Sequence, residues 1–461
     1  MKKHLGVFPI LFVLVFVLTG CPGPINNPDV PVPGRDSIDS TDTEQFLSPD
    51  EQKNLLVAVG EELINTFNPA DQKKAVDLAE NLYHKYLNYD WDAIEEELWE
   101  EYDDIYSSEF ESFFGMPKRI INVINGKQNA TLEDMEILLT LSKFGRVIEF
   151  DDQTKSIKIT KTSDPSVTAK FSDSKGTKCE LKVWGEGKEI EGSYTYEDDG
   201  KRTIRVKVPT TIKMHLKQGS SALISMNFTW DSNLKDYVNT SMNLQVINLG
   251  FEEEIKASTT EASAVFSFTY SNKNIITAAV NLPKYKLIEW EGGKDFTEDE
   301  FWNWLEEYDE KYASLLGKVG KGEAKLDILS KIQLKGGVTD GAALVDAYYN
   351  WEDKYYNNEL DECNDLCKLL NKYIYLSVYY NNTTTEQAKL LMDVYEDEYG
   401  YDVEPIMQFP YDDSQIAVMT YFTSSKFLGL VDLVEELANS YIALDKNHLI
   451  FDEDFVLDLG F

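Results

Sequence analysis

Histidine, cysteine and paired carboxylates are the side chains from which hydrolytic and metal chemistry is most often built. The chain holds four histidines. His4 lies in a leader-like start. His84 sits among Asn81, Lys85 and Asn88 on the polar side of a helical pattern, His215 falls on the polar alternation of a strand pattern, and His448 lies near the end. No HExxH pair or GxSxG elbow accompanies them. Ser172-x-x-Lys175 matches SxxK without a companion motif. Cys363 and Cys367 are four apart, so a helix puts both on one side. They fall in an apolar seam with Leu366, Leu370 and Ile374, which favours packing over half of a zinc site; Cys179 reads the same way. No catalytic residue, metal ligand or cofactor is expected.

Aromatic residues offer the clearest lead to a ligand. Phe301, Trp302, Trp304, Tyr308 and Tyr312 crowd one helical stretch, and Tyr348, Tyr349, Trp351, Tyr355 and Tyr356 another. Trp302, Trp304 and Trp351 lie off the expected buried stripes and stand as candidate ligand-binding residues, suited to stacking on sugar rings. With 81 acids, the sequence cannot single out two for glycoside hydrolysis.

Against those acids stand 44 basic residues, for a net charge of −37. Nucleic acid is therefore not an expected partner, because binding it requires clustered cations. The aromatic and aliphatic content suffices for a core, and the length suggests more than one folding unit.

Several element types must carry these residues. Residues 49–145 read as a helical region opened by the capping box Ser48-Pro49-Asp50-Glu51. Residues 146–290 switch to period two: Cys179, Leu181 and Val183 alternate with polar neighbours, as do Ile204, Val206 and Val208, and Ile212, Met214 and Leu216. Short turn clusters between such runs predict an antiparallel meander with one buried and one polar face. Residues 291–461 read as mainly helical, with segments near 340–357, 360–376, 384–397 and 425–445. One strand is expected at Leu326–Leu334, ended by Gly336-Gly337, and a short one at Ile406–Phe409. The expected fold class is α+β: an N-terminal helical bundle, a central antiparallel β-meander packed on helices, and a mostly helical C-terminal region.

At the start, Lys2 and Lys3 precede the apolar run Leu5–Leu18, which ends in Thr19-Gly20-Cys21. The run is too short to span a bilayer, which takes about 20 residues. Leu18-Thr19-Gly20-Cys21 resembles the bacterial lipobox. That resemblance implies a signal peptide over residues 1–20, cleavage between Gly20 and Cys21, and acylation of Cys21, so that the bilayer itself is a partner. Pro22 at the following position implies the outer membrane, with the periplasmic or surface-exposed face left undetermined. Residues 21–48 carry five prolines and read as a flexible tether. The body resembles surface lipoproteins of Bacteroidota, in which helical segments bracket alternating strands. The resulting expectation is a non-catalytic, lipid-anchored cell-envelope lipoprotein that binds a carbohydrate or protein ligand. The alternatives are an acid-pair glycan hydrolase and a carrier of an apolar ligand on the concave face of the sheet.

Overall fold

A computed structural model describes residues 46–89, 113–114, 116–117, 145–196, 202–232, 237–258, 261–283, 320–352, 360–397 and 400–444. Cys21, Gly20, Trp302, Trp304 and His448 lie outside them. Among the described residues sixteen strands form one sheet: β1 (Arg146–Asp151), β2 (Ser156–Lys161), β3 (Ser166–Ser172), β4 (Lys178–Tyr196), β5 (Arg202–Gln218), β6 (Ser221–Ser232), β7 (Tyr237–Val246), β8 (Leu249–Ser258), β9 (Glu261–Tyr270), β10 (Lys273–Pro283), β11 (Gly322–Ile328), β12 (Ile332–Val338), β13 (Ile374–Tyr380), β14 (Ala388–Asp397), β15 (Gly400–Gln408) and β16 (Gln415–Ala417). From β3 to β16 each strand pairs with its successor, always antiparallel. At the other edge β1 lies between β2 and β3, and its pairing with β3 is parallel. Gly145 makes that return compact. Its φ is +59, and a Cβ there would lie 2.7 Å from the Thr162 carbonyl oxygen.

The expected fold class is thereby overturned. The meander does not stop near residue 290, and six of its strands lie in the region read as mainly helical. Residues 388–397 are strand β14, although Ala, Lys, Leu and Met favour helix. Pairing with β13 and β15 overrides that preference, and Leu390, Met392 and Val394 then share one face. The expected single strand at 326–334 is the β11–β12 hairpin. Gly336 and Gly337 sit inside β12 rather than ending it. A Cβ on Gly337 would lie 2.0 Å from the Gly322 carbonyl oxygen, so the pair serves close strand approach, not termination. In place of an N-terminal bundle, the described residues show helices laid on a sheet.

Those helices are α1 (Pro49–Thr66) and α2 (Lys73–Asn88), joined by a 3-10 turn at Pro69–Gln72, then α3 (Gly341–Glu352), α4 (Leu360–Tyr373), α5 (Val418–Phe422) and α6 (Ser425–Ile442). Ser48 caps α1 as the sequence predicts, with reciprocal Ser48–Glu51 bonds and proline in the first turn. From there α1, the 3-10 turn and α2 run as a belt along one end of the strands, tied to successive hairpin turns. Buried Gln52 donates to the Leu47 and Gln387 carbonyls (3.0 and 2.8 Å), at the β13–β14 turn. Glu62 pairs with Lys331 in the β11–β12 turn. Asp71 accepts from Tyr270 (2.5 Å) and Asn248 (2.8 Å), beside the β9–β10 and β7–β8 turns. Lys85 and Tyr89 both reach Asp152 in the β1–β2 turn. The turns themselves are tight: Ser271-Asn272 joins β9 to β10 with both φ angles positive, the geometry of a two-residue type I′ hairpin.

The face under the belt is apolar. Ala75, Leu78, Ala79 and Leu82 of α2 and Phe113, Phe114 and Met116 pack on Ile148, Val167, Leu181, Val183, Ile212 and Met214. Val59 of α1 with Phe409, Tyr421 and Phe427 packs on Ile332, Val378, Tyr380 and Ala388. Each large apolar side chain so buried contributes about 1.5–3 kcal/mol. The opposite face carries Thr, Ser, Asn, Gln, Lys and Glu in register from strand to strand. At its far end α4 lies across β14 and β15. There Ile406 and Met407, which point to opposite faces, are both buried.

Candidate functional site

On β3–β8 the polar face is built from two cross-strand rows. One runs Ser166, Trp184, Lys213, Asn227, Asn243 and Glu252; the other runs Thr168, Lys182, His215, Ser225, Gln245 and Gly250. Strict alternation places these residues opposite Val183, Met214, Met226 and Leu244 of the core. Trp184 is half-buried, its ring edge-on to His215 at 5.1 Å, with Lys182 Nζ 5.7 Å from its centre. Its indole N–H donates to Glu186 (2.7 Å), and Lys213 donates to the other oxygen of the same carboxylate (2.6 Å). Lys182 pairs with Asp164 (2.8 Å), which also accepts from Ser166 (2.9 Å). His215 meets Glu180 at 2.8 Å.

These contacts set the protonation states. The Lys213 bond, then the Trp184 bond, holds Glu186 below the usual carboxylate range. The Lys182 and Ser166 bonds do the same for Asp164. Burial pushes His215 below an ordinary histidine, although Glu180 pulls the other way. His215 is only 9% exposed despite standing on the polar face, because Trp184 lies against it. One acceptor is left over: Asn227 Oδ1 is buried and has no partner among the described residues.

Elsewhere the residues singled out by sequence serve packing. Trp351 in α3 donates its indole N–H to the Glu362 carbonyl (3.0 Å) and lies 5.7 Å from the Tyr348 ring, tying α3 to the start of α4. Trp302 and Trp304 lie outside the described residues. His84 is exposed on α2. Ser172 ends β3, while Lys175 sits in the following turn, where its backbone N–H bonds Asp173 (2.8 Å). Cys179, Cys363 and Cys367 are free buried thiols, and burial pushes Cys179 and Cys367 up to about 11. Among the described residues no three His, Cys, Asp or Glu side chains are grouped to hold a metal ion.

One acid pair stands out. Asp393 and Glu404 face each other across β14 and β15, and burial followed by Asp393 raises the Glu404 carboxyl. Directly opposed residues have Cβ atoms about 4.5–5.5 Å apart. The pair borders the seat of α4, where Cys367 feels Asp393 and Cys363 feels Asp402. Sequence reasoning passed over both this pair and Trp184. The pair needed the β14 assignment; the tryptophan was legible as a large aromatic between Lys182 and Glu186 on a polar alternation.

No protein-family model, curated protein or solved structure matches this chain.

Proposed function

We propose that this chain is a non-catalytic, lipid-anchored lipoprotein of the cell envelope, held at the outer membrane through Cys21 and binding a ligand or partner through the polar face of its sheet. The observation that carries the anchor is the run Leu5–Leu18 ending in Thr19-Gly20-Cys21. Acylation provides the holding energy, at roughly 0.8 kcal/mol per buried methylene, with about two chains needed for stable attachment. The strongly negative body gains nothing from an anionic lipid surface, so it stands off on its tether. The binding half of the reading is supported by the contrast between an apolar face packed under helices at Ile148, Leu181, Ile212 and Met214 and a polar face on which Trp184, Lys182, Lys213, Asn227 and Asn243 stay half-exposed. Carriage of an apolar ligand loses support, since α1, α2, α5 and α6 lie on the apolar face. The test is the Cys21→Ser variant. It should accumulate as unprocessed precursor and leave the membrane fraction on alkaline wash; normal processing and retention would overturn the anchor.

A second reading, hydrolysis of glycans by an acid pair, is favoured by Asp393 and Glu404. The raised Glu404 carboxyl would be the proton donor and Asp393 the nucleophile; a retaining pair needs carboxyl groups about 5–5.5 Å apart, which directly opposed residues on neighbouring strands can reach. It requires that a Glu404→Gln variant lose all activity on a glycan that the unaltered protein cleaves. Absence of cleavage by the unaltered protein would dismiss it.

A further inference from the structure

We infer that the polar face around Trp184 binds a neutral carbohydrate, a deepening that rests on the ligand-binding reading above. Three features of the patch point to this ligand class. Trp184 is a half-exposed ring set among Ser166, Lys182, Lys213 and His215 on the polar face. Indoles suit the C–H faces of pyranose rings because they are broad, apolar and locally fixed, and Glu186, His215 and Lys182 hold this one in place.

Most charges around it are matched. Asp164 with Lys182 and Glu186 with Lys213 form two ion pairs, and Glu180 is hydrogen-bonded to His215, whose charged form burial disfavours, within a chain of net charge −37. A cationic or anionic ligand would have to break one of these pairs. A polyhydroxylated neutral ligand need not, because each hydroxyl both donates and accepts, and the paired groups retain spare lone pairs and protons.

Asn227 supplies the third feature. It follows Lys213 in the same row as Trp184 and keeps a buried Oδ1 without a partner among the described residues. A buried acceptor left unpaired is costly, and a turn of the half-buried Asn227 amide toward the open face would let a ligand hydroxyl relieve it. Asn243, next in the row, is held by Glu252 at 2.7 Å, so the row continues as a polar track across β4–β8. An extended chain of several sugars fits a row crossing five strands about 4.8 Å apart better than a single sugar does.

The test is affinity electrophoresis of the whole body in gels containing a soluble α-glucan, a mixed-linkage β-glucan or a galactomannan, with polygalacturonate as the anionic control. We expect at least one neutral polymer to retard the protein, with no loss at 1 M salt, where the Debye length falls to about 3 Å. Trp184→Ala should weaken the retardation roughly tenfold or more, Asn227→Ala by less, and Trp184→Phe should keep part of it. Circular dichroism of each variant separates lost binding from lost folding. Retardation by polygalacturonate alone, retardation unchanged in a folded Trp184→Ala, or no retardation by any neutral polymer would overturn the inference. In the last case, capture of another partner that depends on Lys213 or Glu252 would leave the broader binding reading standing. Processing of Cys21→Ser bears only on the anchor.

Discussion

The two faces of this sheet share the same strands and differ in almost everything else. On one, Ile212 and Met214 are sealed beneath helices; on the other, their neighbours Lys213 and His215 belong to a track of polar pairs. The packed face is where folding energy is collected, and its belt ties hairpin turns far apart in sequence. The polar face contributes little to stability, and its side-chain choices are therefore free to serve recognition. A period-two pattern in one strand writes both roles side by side.

Substitution of adjacent residues should separate the faces most sharply. Ile212→Ala is expected to cost about 2–5 kcal/mol, because it opens a cavity in a fully buried site. Lys213→Ala breaks only an exposed pair with Glu186 and should cost at most about 1 kcal/mol. Urea unfolding of both variants checks this, and similar midpoints would erase the distinction.

A smaller loss is expected from the belt. Gln52→Ala would strip the buried carbonyls of Leu47 and Gln387 of their donor and Tyr380 of its acceptor. An unsatisfied buried group costs about 1–3 kcal/mol, and thermal unfolding of the variant reads it. Should the melting temperature not move, the belt is not anchored at that turn.

The smallest effect is pH dependence. For Asp152, burial is outweighed by bonds from Lys85 and Tyr89, so its carboxyl is held below the usual range; Asp164 and Glu186 are also lowered. A carboxylate lowered by folding stabilises the native state above its unfolded value, about 3.9 for Asp and 4.3 for Glu. That stability drains away as pH falls through the lower folded values. These three carboxylates should therefore add no slope above about pH 5 and make unfolding midpoints drop below pH 4. The Asp152→Asn variant should show a shallower drop, and an identical profile would remove Asp152 from the account.

Much of this division could be read from the sequence, and the limits are instructive. Leu181, Val183, Ile212 and Met214 announced their strands because one face is dry and the other wet, which gives a clean alternation. Strand β14 escaped notice because α1 and α6 serve one side of that region and α4 the other, so Leu390, Leu391 and Met392 run together as they would in a helix. The Gly336-Gly337 pair misled because its reason, the nearness of Gly322, lies in another strand. Likewise the alternation correctly put His215 on the polar face, yet could not reveal that Trp184 would shield it. Local period is legible; what a neighbouring element covers is not.

A single sheet packs one face under helices at β3–β6 and leaves the other face half-exposed. Chemical footprinting within β4 to β7 tests it most directly, by mass spectrometry after oxidation and lysine acylation of the native protein. Lys182 and Lys213 should be modified quickly, while Met214 and Met226, one residue away or one strand over, should stay unoxidised until the fold opens. Equal reactivity of Met214 and Lys213 in the native state would contradict the account.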